Sequence, residues 1–65
     1  MSTEWQKRVH DEKTDLDARC TALVVFMRSP EFKALSFRQQ DLLERQASAM
    51  HLYSAILFDR LGEPA

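Results

Sequence analysis

A single break, Ser29-Pro30, divides the chain into two helix-length stretches, and that fact constrains the fold more than any other. Proline lacks an N–H and restrains the residue before it, so a helix approaching from the N-terminal side stops near Arg28. Proline also suits the first position of a new helix, and Ser29 suits the cap before it. Glycine occurs once, at Gly62, and the other proline, Pro64, lies beyond the second stretch. Nothing else interrupts a helix, and no strand alternation or internal repeat is present.

Hydrophobic spacing gives each stretch a face. In the first, Trp5, Val9, Leu16, Cys20, Leu23 and Met27 follow steps of 4, 7, 4, 3 and 4, one side of a helix. Thr3 with Gln6 reads as a capping box, with Glu4 favourable at the dipole. In the second, Leu43, Ala47, Met50, Ser54, Leu57 and Leu61 form the inner stripe, and small Ala47 and Ser54 permit close helix approach. Ser36 with Gln39 reads as its capping box and Gly62 as its C-cap. The expected architecture is all-α. It is one domain over residues 1–65, with helix A over 4–28, a short helical turn over 30–35 carrying Phe32 and Leu35 inward, and helix B over 37–61. Helices of about 25 residues run roughly 37 Å, and a short connection makes them antiparallel. Residue i then lies opposite about residue 65 − i.

Two helices cannot enclose a core. A chain of 65 residues has a single core worth only about 3–5 kcal/mol, so added stability is expected from elsewhere. One cysteine, Cys20, excludes an internal disulfide, and His10 and His51 stand too far apart in sequence to suggest a structural metal. Self-association remains. Apolar residues also spill beyond the inner stripes, at Val24, Val25 and Phe26 and at Leu42, Leu52, Ile56 and Phe58. A helix apolar on more than one side is buried on more than one side. The expectation is a homo-oligomeric helical bundle, with Leu16, Leu23, Met27, Leu43, Met50, Leu57, Leu61, Ile56 and Phe58 at its interface.

Function classes narrow by elimination. Nine basic and ten acidic residues give a net charge of −1, which provides no field for general nucleic-acid binding. The apolar run Ala22 to Met27 is far too short to cross a bilayer, and the opening residues carry no export leader pattern. No nucleophile–base spacing, glycine-rich phosphate loop or metal-ligand cluster is present, so no catalytic residue, metal or cofactor is expected. Asp11, Glu12, Asp15 and Asp17 could imitate a metal cluster, but helix B has no matching Glu-x-x-His.

A heptad-spaced polar seam is the binding candidate. Trp5, Glu12, Arg19 and Phe26 repeat every seven residues, and so do Gln39, Gln46, Tyr53 and Arg60. The register opposes Trp5 with Arg60, Glu12 with Tyr53, Arg19 with Gln46 and Phe26 with Gln39. Such a seam can fix register, as a buried polar residue does in coiled coils. Alternatively it lines a groove between protomers in which Arg19 and Arg60 clamp phosphates, Tyr53 stacks on a base and Gln46 hydrogen-bonds. Arg8 and Lys13, near Lys7, add cations, although Glu4, Asp11 and Glu12 are placed for salt bridges within the helix.

From Gln6 to Leu61 the chain resembles a family of small tailed-phage helical proteins named after a protein of a crAss-like gut phage. The residues that carry the likeness are Arg8-Val9, Asp11-Glu12-Lys13, Leu16-Asp17, Phe26, Ser29-Pro30, Phe32 and Leu35. In helix B they are Leu43, Gln46, Met50, Tyr53-Ser54, Ile56-Leu57 and Arg60-Leu61. Trp5 and Phe37 lie outside them. The resemblance implies a phage or prophage product acting in the cytoplasm of a bacterial host, with counter-defence as the expected biology. By analogy with other phage inhibitors, two readings follow. One is sequestration of a small anionic nucleotide signal of the cyclic oligonucleotide class. The other is inhibition of a host protein gripped through Leu52, Ile56 and Phe58.

Overall fold

The computed structural model describes residues 4–64. Three helices follow in order: α1 (Glu4–Phe26), α2 (Pro30–Lys33) and α3 (Phe37–Gly62). The long helices α1 and α3 pack side by side as an antiparallel hairpin, and no strand occurs among the described residues. The molecule is a thin slab of 52 × 15 × 12 Å, one helix layer deep.

The expected break at Ser29-Pro30 is present, but α1 ends at Phe26, two residues before Arg28. The last turn tightens: Arg28 N–H donates to Val25 O and Ser29 N–H to Phe26 O. The Ser29 hydroxyl also donates to Phe26 O at 2.5 Å while accepting from Phe32 N–H at 3.3 Å. One side chain therefore closes α1 and opens α2, satisfying groups that helix ends leave orphaned. Ser29→Ala is expected to lower stability by about 1 kcal/mol, read as the urea midpoint at unchanged slope.

The short turn is helical over Pro30–Lys33, within the expected 30–35. Phe32 is buried and meets Phe26 edge-on, with ring centroids 6.1 Å apart. Ser36 caps α3 by accepting from Gln39 N–H at 3.2 Å. The reciprocal half of the expected box is replaced, since Gln40 rather than Gln39 reaches back, its amide donating to Leu35 O at 2.8 Å and Lys33 O at 3.3 Å. At the far end Gly62 lies inside α3 and no positive φ occurs among the described residues, so it is not a left-handed C-cap. Glu63, in extended conformation, fills the C-cap position. Thr3, the expected cap of α1, lies outside the described residues.

The buried residues are Val9, Leu16, Cys20, Phe32, Ala47 and Leu57. Val9, Leu16 and Leu57 form one cluster against which Trp5, Met50 and Leu61 pack. Both inner stripes read from the sequence therefore face each other. Of the residues expected at a subunit interface, Leu16 and Leu57 are buried within the single hairpin. Leu23, Met27, Leu43, Met50 and Leu61 are half-buried, and Ile56 and Phe58 remain exposed.

Candidate functional site

The α1–α3 seam has two edges, and they differ in how far their polar groups are already satisfied. One edge carries Lys13, Asp17 and Cys20 from α1 and His51, Ser54 and Phe58 from α3, lining an open groove of about 420 Å³. Lys13 Nζ bonds Asp17 Oδ2 at 2.7 Å and donates to Ser54 Oγ at 3.1 Å. Ser54 Oγ in turn donates to Asp17 Oδ1 at 2.6 Å. Small Ser54 on the inner stripe lets the helices approach closely enough for this triangle to cross between them.

Further along the same edge, His51 Nδ1 stands 2.9 Å from Ala47 O. A carbonyl only accepts, so Nδ1 carries the proton and Nε2 is left as the acceptor. Cys20 Sγ lies 3.5 Å from Nδ1 and 3.7 Å from Nε2, so the thiol packs against the imidazole edge. His51 is exposed as a residue, yet its ring meets the buried thiol across the seam. Cys20 and His51 are 31 residues apart, and no local spacing could show that they meet.

The hydrogen bond from Lys13, with that from Ser54, holds the Asp17 carboxyl below its usual pKa against the opposing effect of desolvation. A carboxyl depressed in the folded state contributes stability above its unfolded pKa and loses it as pH falls through the folded value. The wild-type thermal midpoint is therefore expected to fall in the acid range more steeply than that of Asp17→Asn. Parallel acid profiles for the two proteins would contradict this. The effect is modest, because the Asp17 side chain is 46% exposed and water screens the pair.

The opposite edge carries the seam read from the sequence. There Trp5, Arg8, Val9, Glu12 and Arg60 line a groove of about 210 Å³. It adjoins an end pocket of about 360 Å³ formed by Trp5, Arg60, Glu63 and Pro64. Trp5 and Arg60 thus meet as the register demanded. The other expected pairs do not: Glu12 with Tyr53 and Arg19 with Gln46 make no side-chain hydrogen bond, and the aromatic partner of Phe26 is Phe32, not Gln39. The cross-helix bonds expected here form on the other edge, because the helices are rotated so that Ser54 and His51 face Lys13, Asp17 and Cys20.

Unspent cations are the result. The guanidiniums of Arg8, Arg19 and Arg60 have no ion-pair partner among the described residues. Lys7 is paired with Asp11, one of the acids expected to bridge the N-terminal cluster, whereas Lys13 pairs with Asp17, which was not among them. Lys13, a candidate ligand residue, stands on the satisfied edge with its side chain 25% exposed. Arg8 and Arg60 line the same groove as half-buried Trp5. Arg19, eleven residues on from Arg8, is about 16 Å further along the axis, and neither it nor Gln46 nor Tyr53 lines the groove. Trp5 itself was placed in the polar seam by sequence but not singled out as a site residue.

Fold and groove together define a small all-α hairpin protein with an open cationic and aromatic edge, and among the described residues no helix is long and apolar enough to cross a bilayer. The chain belongs to the Sequestin family, whose family model matches residues 3–63 and so takes in Trp5 and Phe37 as well. No curated protein and no solved structure matches it.

Proposed function

We propose that this chain is a phage-encoded binding protein that sequesters a small anionic nucleotide of the cyclic oligonucleotide class, blunting a host immune signal in the bacterial cytoplasm. It acts as an oligomer and by binding, without catalysis. The family name supports sequestration as the mode of action. The observation that carries the ligand class is that Arg8 and Arg60, neither with an ion-pair partner among the described residues, line one groove together with Trp5. Guanidiniums match phosphate oxygens in planar, two-pronged geometry, and an indole face stacks on a base or draws a cation. Glu12, in the same groove, is an acceptor suited to a ribose hydroxyl or a base N–H.

Purified protein heated to release bound small molecules, followed by mass spectrometry, identifies the ligand directly. A thermal-shift panel of cyclic dinucleotides and trinucleotides provides the second measurement. A true ligand at 100 times its dissociation constant adds about 2.7 kcal/mol, which for so small a domain is a rise on the order of 10 °C. No released nucleotide and no shift across the panel would overturn the proposal.

A further inference from the structure

The outward face of α3 carries a second stripe that the hairpin does not use. Leu42, Ala49 and Ile56 repeat every seven residues, and Arg38, Arg45, Leu52 and Asp59 interleave with them at steps of 4, 3, 4, 3, 4 and 3. All seven are exposed in the single chain, Leu52 at 65% and Ile56 at 49%. Hydrophobic positions alternating three and four apart mark the contact line of a coiled coil.

We infer that this stripe docks a second copy of the chain, α3 against α3, antiparallel about a two-fold axis passing between Ala49 and Leu52. The charges select both the partner and the direction. Along α3 the stripe runs from basic (Arg38, Arg45) through apolar (Leu42, Ala49, Leu52, Ile56) to acidic (Asp59, with Glu63 at the cap). A parallel pair sets Arg38, Arg45 and Asp59 each against its own copy, three like-charge contacts. An antiparallel pair sets Ala49 against Leu52 of the partner subunit and Leu42 against Asp59 of the partner subunit. That carboxylate then stands one turn from both Arg38 and Arg45. The two-fold repeats the contact at the other end, as a self-complementary surface requires.

The charges needed for this are only partly used within one chain. Arg38 and Arg45 share a single carboxylate, Asp41, at 3.9 and 3.1 Å, which leaves one positive charge over. Asp59 has no ion-pair partner among the described residues. Ala49 lets the backbones close up at the centre, as small residues do at helix crossings. The result is a four-helix bundle with α3 helices inside and α1 helices outside, which places the two Trp5 grooves at opposite ends.

Sedimentation equilibrium of the full chain at micromolar concentrations tests this without any ligand, so its outcome is separate from that of the nucleotide proposal. The wild type is expected to be dimeric, or a multiple of the dimer. Leu52→Asp is expected to shift it to monomer with helical circular dichroism retained, because that side chain is exposed in the hairpin. Arg38→Glu with Arg45→Glu is expected to weaken association at least about tenfold, and adding Asp59→Arg to recover it, since only the antiparallel pairing is restored by the swap. A monomeric wild type would overturn the inference. So would an oligomer indifferent to Leu52→Asp and to the charge reversals, which would place the interface elsewhere.

Discussion

Leu57→Asp is expected to leave the chain unfolded. Leu57 is 1% exposed, the most deeply buried large side chain, and it sits in the cluster with Val9 and Leu16. An aspartate there would be set among the apolar side chains of Val9, Leu16, Met50 and Leu61, and a buried unpaired charge costs about 3–5 kcal/mol. A core of this size supplies about as much in total. The far-UV spectrum should collapse toward coil, and the cooperative melt should vanish. Leu52→Asp, the same change five residues earlier on the opposite side of α3, is expected to keep its helicity. A folded, cooperative Leu57→Asp protein would mean that the two long helices do not depend on the packing described.

The second large effect is expected at the groove. Arg8→Gln combined with Arg60→Gln should raise the dissociation constant of the nucleotide by about 10²–10⁴. Hydrogen bonds from charged donors are worth about 1.5–3 kcal/mol each, and every 1.4 kcal/mol is tenfold. Isothermal titration calorimetry with the released ligand measures it. Trp5→Ala should weaken binding separately by about 1–3 kcal/mol through lost stacking. Lys33→Gln with Arg28→Gln removes two exposed cations at the other end of the hairpin, is the charge-matched control for the double variant and should bind as the wild type does. If the double variant binds normally, the ligand sits elsewhere, and the Lys13–Ser54–Asp17 groove becomes the place to look.

Much of the architecture was legible because it depends on local chemistry. Pro30 with Ser29 fixes the break, Ser36 fixes the start of α3, and the recurrence of Val9, Leu16 and Cys20 fixes the buried face of α1. What escaped depends on how one helix is rotated against the other. A seven-residue repeat places Glu12 near Tyr53 or Lys13 near Ser54 with equal ease, and small turns of each helix decide which edge closes. The contact of Cys20 with His51 is a product of that rotation. The helix ends moved for another reason. Ser29 competes for the carbonyl of Phe26, and Gly62 is not called on for a left-handed turn because Glu63 leaves α3 in extended form. The binding edge was half legible. Arg8 and Arg60 were both visible as candidates, but their sharing one groove with Trp5 needed the hairpin to bring the first and last turns together.

That meeting of first and last turns has a practical side. The first turn of α1 and the last of α3 both lie beside Trp5 and Arg60, so a bulky label attached in either turn would crowd the mouth of the groove and could mimic loss of binding. The bend at Ala34–Ser36 lies some 35 Å away, the length of α1. A label inserted there would report on the protein while leaving the recognition end unobstructed.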